Sequence, residues 1–278
     1  MEIILHENIT AYLQEKNIIP NYLSSGHGVT CEAHGEWLAY VYYSLDPYHP
    51  SAPYLRFAVL DDSVKPETIV EMYEKLKTTL PMSDIILEIH RHHNLYEKLI
   101  TTYDFKEFRR TYETEVEISR MISHFNTGST EENRLESAFE MTEGLSDLSR
   151  QVYASVHDTI PLREMSLAEW RDLITDDIDF ESSIVIYDED EAITAYMLIY
   201  EGEDTSKDFG YCYYADSEAK QRLASAFGQT LNKLQENGYE HINLEVDTTD
   251  EYAYGFFNEF VKDEAPVLVS YIRRQKKA

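Results

Sequence analysis

The sequence is poor in cysteine, glycine and basic residues, and each scarcity excludes something. Only Cys31 and Cys212 occur in 278 residues. That rules out a disulfide framework and points to a reducing, cytoplasmic setting. Ten glycines argue against a chemistry built on several glycine-rich loops. No run of about 18 apolar residues is present, so no helix is expected to cross a membrane. The opening "MEIILHENIT" is too acidic, and too short in its apolar part, for a secretory signal. Lys and Arg together number 24 against 52 Asp and Glu, a formal net charge of −28. Such a surface repels phosphate backbones and anionic lipid, so neither nucleic acid nor membrane is an expected partner. It favours a small cationic molecule or a basic partner.

What is present reads as alternating strands and helices. The first 35 residues hold a helical stretch near "ENITAYLQEK" and a turn-rich "NYLSSGHG". Strands follow at "EWLAYVYYSL" and "YLRFAVLDD", then a helix with Ser63 as cap and Pro66 in its first turn. Its apolar face is Ile69, Met72, Tyr73, Leu76 and Leu80. "DIILEIH" is a strand, "NLYEKLITTY" a helix and "KEFRRTYETEVEI" a strand. Polar residues mark a linker at 125–133.

Beyond it come strand "RLESAFEMT", helix "LSDLSRQVYASVHD" and a short helix "SLAEWRDLI" capped by Ser166. Strands "SSIVIYD", "AITAYMLIYEG" and "DFGYCYYAD" precede a long helix from Ser217 to Asn237. Asp216 or Ser217 caps that helix and Gly238 ends it. In "INLEVDTTDEYAYGFFNEF", Ile242, Leu244 and Val246 alternate at strand period. Ala253, Phe256, Phe257 and Phe260 then follow helix period. "PVLVSYIRR" is the last strand.

The two halves share an element order. "PETIVEMYEKL…DIILEIHRHHNLYEKL" runs parallel to "RLASAFGQTLNKL…HINLEVDTTDEYAYGFF". The period, about 150 residues, is too long for a solenoid and indicates a duplicated α/β domain. The expected organisation is a reduced domain over residues 1–124, a linker, and a complete domain over 134–278.

Residues 134–275 resemble the GNAT superfamily of acyl-CoA-dependent N-acetyltransferases, on "VHDTIPLREMSLAEW" and "LASAFGQTLNKLQENGYEHINLEVDTTDEYAYGFF". Residues 36–118 resemble a reduced form of the same fold. The resemblance implies an α/β (α+β) chain of two GNAT-like domains. Each would be a mixed, mostly antiparallel sheet with splayed central strands, flanked by helices. It also implies acetyl-CoA or another acyl-CoA as cosubstrate, with no metal, and a small-molecule amine, in keeping with the acidic surface a cationic one. A homodimer is compatible with it.

By the same resemblance, "DFGYCYYAD" and "HINLEVD" are the splayed strands. The backbone of Tyr213, Tyr214 and Ala215 would hold the pantetheine arm, and the helix from Ser217 would face the pyrophosphate. The family's pyrophosphate motif falls on Gln221, Ala224 and Ala226 in one register. In the other it falls on Ala219, Arg222 and Ala224, with Leu223 between in both. No glycine occupies either. The family's frequent Asn aligns with Asp250 and its frequent Tyr with Phe257, so Tyr254 or Tyr252 is the candidate thiolate acid. Glu201 and Glu203 end a strand where a carboxylate can act as base through water.

"HRHH" at 90–93 invites a metal, but no ligand spacing accompanies it and none is expected. His90 and His92 would line the first-half cleft instead. Cys212 among aromatics reads as a buried structural thiol. Two function classes remain: an N-acetyltransferase using Tyr254, Tyr252 or Glu203, and a GNAT-fold binding or regulatory protein without catalysis. The missing glycine and Phe257 favour the second. The completeness of the C-terminal half favours the first.

Overall fold

A computed structural model describes residues 1–9, 13, 26–81, 83–90, 93–125, 133–134 and 142–275. The stretches expected at "ENITAYLQEK" and "RLESAFEMT", the linker, and Arg91 and His92 lie wholly or mostly outside these residues. In chain order the first elements are β1 (Glu2–His6), β2 (Gly28–Ala33), β3 (Glu36–Leu45), β4 (Pro53–Val59), α1 (Pro66–Lys77), β5 (Ile85–Ile89), α2 (His93–Tyr103), β6 (Lys106–Glu117) and α3 (Ile118–Phe125). Then come β7 (Asn133–Arg134), α4 (Glu143–Val156), α5 (Leu167–Ile174), β8 (Ile184–Tyr187), β9 (Ile193–Glu201), β10 (Ser206–Tyr214), α6 (Ser217–Glu236), β11 (His241–Asp247), α7 (Glu251–Val261) and β12 (Leu268–Arg273).

Two compact units form, and they do not coincide with the two sequence halves. Unit 1 holds residues 1–110, 159–163 and 267–278; unit 2 holds 111–158 and 164–266. The C-terminal half gives β12 to unit 1, and the N-terminal half gives the second part of β6, from Thr111, to unit 2. In unit 1, β12 pairs antiparallel with β5 from Val269↔Ile89 to Arg273↔Ile85. In unit 2, the second part of β6 pairs antiparallel with β11 from Thr111↔Asp247 to Glu117↔His241. The repeat in the sequence assigned these strands to the half that encodes them. Strand pairing follows backbone edges, which carry no such local signature.

Unit 1 is the mixed sheet β1 to β5 with β12, antiparallel except at β4–β5. Helix α1 buries Ile69, Met72, Tyr73 and Leu76, one stripe at helix spacing. Ser63 is not its cap. Lys65 takes the capping position without a side-chain bond, and Pro66 opens the first turn. The Ser63 N–H instead turns back to Asp61 Oδ1 at 2.8 Å.

Unit 2 is the mixed sheet formed by residues 111–117 of β6 with β11, β10, β9, β8 and β7, parallel among the described residues only at β10–β11. One face carries a core of α3, α6 and α7 side chains, among them Met121, Phe125, Leu223, Phe227, Phe256 and Phe257. The other carries α4 and α5: Tyr153 and Trp170 meet Tyr211 of β10 with ring centroids 5.9 and 6.3 Å away. Ser166 and Glu169 form a reciprocal capping box at the start of α5. Gly238, at φ +90°, closes α6 as expected.

Candidate active site

The site follows from how little of β10 and β11 is paired. Their parallel register spans only Ser206↔His241, Lys207↔Ile242 and Asp208↔Asn243. From Phe209 to Tyr214 the two strands diverge. A bulge between Phe209 and Tyr211 in the pairing with β9 bends β10 at this point. Gly210 occupies the bulge because a Cβ there would sit 2.1 Å from the Tyr200 ring. A lone glycine inside the strand "SKDFGYCYY" was the signal for the bend.

The hydrogen-bond parity of β10 decides which backbone groups face the gap. Ala215 N–H donates to Thr194 C=O on the β9 side at 2.8 Å. Alternate residues of a strand address opposite edges, so Tyr213 also faces β9 while Cys212 and Tyr214 face the gap. Of the expected cradle Tyr213, Tyr214 and Ala215, only Tyr214 faces the gap, and Cys212 joins it. Ala215 has no N–H to give.

Side chains fill the gap. Tyr252, at the start of α7, lies 5.2 Å from the Tyr213 ring and 5.4 Å from the Tyr214 ring. Consecutive strand residues point to opposite faces, so a ring that touches both lies along the edge of β10. The Tyr214 hydroxyl donates to the carbonyls of Glu251 and Tyr252, each at 3.4 Å. Lys220 of α6 donates to Gly255 C=O at 2.8 Å and sits over the Tyr214 ring. This bridge between α6 and α7 was not foreseen. Burial pushes the Tyr214 phenol up to about 12 and raises that of Tyr252.

Asp250 lies beside this group as the cap of α7. Its Oδ1 accepts the N–H of Tyr252 and of Ala253, each at 3.0 Å. Burial raises its carboxyl above the usual carboxylate value, although both N–H bonds pull the other way. Burial also pushes the Cys212 thiol well up, so it is a structural thiol.

Several expected site residues lie elsewhere. Phe257 is fully buried in the core against Phe209, Phe227 and Phe256. Tyr254 leans toward Tyr112 of β6, ring centroids 6.2 Å apart. Glu203 lines an acidic cavity of about 410 Å³ with Glu115, Asp204, Asp208 and His241. That cavity lies at the opposite end of β10, roughly 25 Å from Tyr214 by strand rise. The Glu201 carboxylate bonds the buried Lys207 ammonium at 2.7 Å.

The pyrophosphate positions do not form a loop. Helix α6 begins at Ser217, two residues after β10 ends. Asp216 Oδ1 takes the N–H groups of Glu218 and Ala219, each at 2.9 Å, and Lys220 N–H already closes onto Asp216 C=O. Gln221, Arg222, Leu223 and Ala224 thus follow inside the helix. Gln221 is exposed, Leu223 is buried, Ala224 packs against the core, and Arg222 donates to Tyr187 C=O at 3.0 Å. Among the described residues no group of His, Cys, Asp and Glu is arranged to hold a metal, and no helix is long and apolar enough to cross a membrane.

No family model and no curated protein matches the sequence. Solved structures do match. A GCN5-related N-acetyltransferase from Sphaerobacter thermophilus aligns with a TM-score of 0.52 at 13% identity, over 97% of this chain and 86% of that one. A tandem GNAT protein from the clavulanic acid biosynthesis pathway, solved without AcCoA, gives 0.51 at 7% identity over 94% and 86%. The chain has the GNAT fold. A GNAT-family acetyltransferase from Colwellia psychrerythraea likewise gives 0.51, at 8% identity, over 99% and 100%.

In a GNAT fold this gap is where an acyl-CoA arm is expected, and the residues fit it only in part. The edge at Cys212 and Tyr214 suits an amide-bearing arm once Tyr252 turns away. The start of α6 suits a diphosphate poorly, because Asp216 Oδ1 already holds the N–H groups of Glu218 and Ala219 and Glu218 adds a second negative charge.

Proposed function

We propose that unit 2 transfers an acyl group from a thioester to an amine. The observation that carries this reading is the pairing of β10 and β11 over three residues only. It leaves the backbone of Cys212 and Tyr214 facing a gap with a carboxyl, Asp250, beside it. In this reading the amine nitrogen attacks the thioester carbonyl, a C–N bond forms and the C–S bond breaks. The ammonium proton passes to Asp250, whose Oδ2 has no hydrogen-bond partner among the described residues. Tyr252, which remains protonated at neutral pH, gives a proton to the departing thiolate.

The test is thiol release from acyl thioesters across a panel of amines. Asp250 must be ionised to act, so the rate should rise with pH through a value above that of an ordinary aspartate. Asp250→Asn keeps a good helix cap and should lower the rate about a hundredfold or more without weakening thioester binding. An unchanged rate in that variant rejects Asp250 as base.

A second reading has its own support. The filled gap and the occupied start of α6 favour a GNAT-fold binding protein without catalysis. Thiol release with no amine, together with ligand binding at the gap, would mark that outcome.

A further inference from the structure

We infer that the donor is recognised by its pantetheine arm and acyl group alone, with a nucleotide diphosphate adding no affinity and carrying a penalty. This rests on the acyl-transfer reading and names the donor class for the same site. The turn between β10 and α6 sets this preference. Only Ala215 and Asp216 separate the strand from the helix, so the chain has no slack to form a cradle of consecutive N–H groups. Of the first helical N–H groups, those of Glu218 and Ala219 bond Asp216 Oδ1, and that of Lys220 bonds Asp216 C=O. The N–H of Ala215, immediately before, bonds Thr194.

The charges point the same way. Asp216 and Glu218 are both exposed at the helix start, where a diphosphate would have to lie. Lys220, in the first turn of the helix, is bonded to Gly255 C=O and sits over the Tyr214 ring. Arg222 is turned to Tyr187 C=O. Two exposed carboxylates therefore flank the place of an incoming diphosphate, while Lys220 and Arg222 are engaged with backbone carbonyls. An arm without phosphate meets only the backbone edge of β10 and neutral tyrosines.

The experiment is calorimetry on the full chain with acetyl-CoA and with S-acetyl-pantetheine, at low and high salt. The expected result is that the two bind within about threefold. Acetyl-CoA should be the weaker at low salt and should gain as salt screens the carboxylates. The double variant Asp216→Asn with Glu218→Gln should tighten acetyl-CoA about tenfold and leave S-acetyl-pantetheine unchanged, Asn being as good a cap as Asp. Acetyl-CoA binding tenfold or more tighter than S-acetyl-pantetheine overturns the inference and leaves the acyl-transfer reading standing. Binding of neither compound at millimolar concentration overturns both. Equal binding with no thiol release on any amine overturns catalysis while the donor specificity stands.

Discussion

The β4–β5 junction of unit 1 and the β10–β11 junction of unit 2 are built to one plan and completed differently. Each is a parallel step among antiparallel pairings of the described strands. Each pairs over three residues, Tyr54↔Ile86 to Arg56↔Glu88 in one and Ser206↔His241 to Asp208↔Asn243 in the other. Past that point unit 1 closes with side chains. Phe57 meets Tyr96 of α2 edge-on at 5.5 Å, and Arg56 bonds the buried Glu88, which also faces Arg109. Its β4 pairs with β3 without a register shift, and its following helix starts at Lys65 and Pro66 with no carboxylate cap.

Unit 2 instead has a bulge at Gly210, a doubly bonded Asp216 cap and a tyrosine, Tyr252, laid along the unpaired backbone edge. The duplicated topology makes the gap. Whether the gap presents backbone or side chains is decided by a few residues past the third pair.

The largest test of this contrast is at the middle residue of each triplet, Leu55 in unit 1 and Lys207 in unit 2. Lys207 is buried against Asp179 at 2.8 Å and Glu201 at 2.7 Å. Lys207→Met should destabilise unit 2 by about 3 kcal/mol, since it leaves the largely covered Asp179 without its cation. Urea unfolding measures this, and a loss below about 1 kcal/mol would reject the pair as structural. The pH window follows from the two shifts. Burial pushes Asp179 up, but hydrogen bonds from Lys207 and Ser182 outweigh it and its carboxyl ends lower than usual. Its contribution is present above the unfolded value near 3.9 and is lost as pH falls through the lower folded value. Lys207 is raised by the same partners despite its burial. Its share is complete below about 10.4 and is lost as pH rises through the folded value.

A middle-sized effect is expected at the bulge. Gly210→Ala drives a methyl into the Tyr200 ring, so it should cost about 1–3 kcal/mol and shift the unfolding midpoint. An unshifted midpoint would mean that the ring yields freely. The smallest effect on stability belongs to Tyr252, half-buried and without a hydroxyl partner among the described residues. Tyr252→Ala should change stability by about 1 kcal/mol at most. By uncovering β10 it should tighten S-acetyl-pantetheine severalfold while slowing any transfer about tenfold. Weaker binding would instead make the ring part of the arm's site.

The sequence made some of this legible and hid the rest for physical reasons. Local devices were readable: Ser166 with its box, Asp216 as a cap, Gly238 as a stop, and the strand-to-helix change at Asp250. The splayed strands and the candidate Tyr252 came with the family resemblance. Helix α3 went unseen because "EISRMISHF" follows β6 with no breaker between them. The pyrophosphate registers presumed a loop, yet a strong cap at Asp216 starts the helix before any loop residue is reached. Nothing local distinguishes Tyr254 from Tyr252, two positions apart on one helix. Their orientation, about 200° around the axis, sends one to β6 and the other to β10.

The exchange of last strands also bears on how the protein comes off the ribosome. Strand β5 finds its antiparallel neighbour only in β12, about 180 residues further along the chain. At roughly 5–20 residues per second, unit 1 waits on the order of ten to forty seconds with one sheet edge open. The apolar run "IILEI" then presents an unpaired edge throughout that interval. A chain cut short before β12 keeps that edge permanently, so truncation from the C-terminus should trade solubility in unit 1 for nothing gained in unit 2.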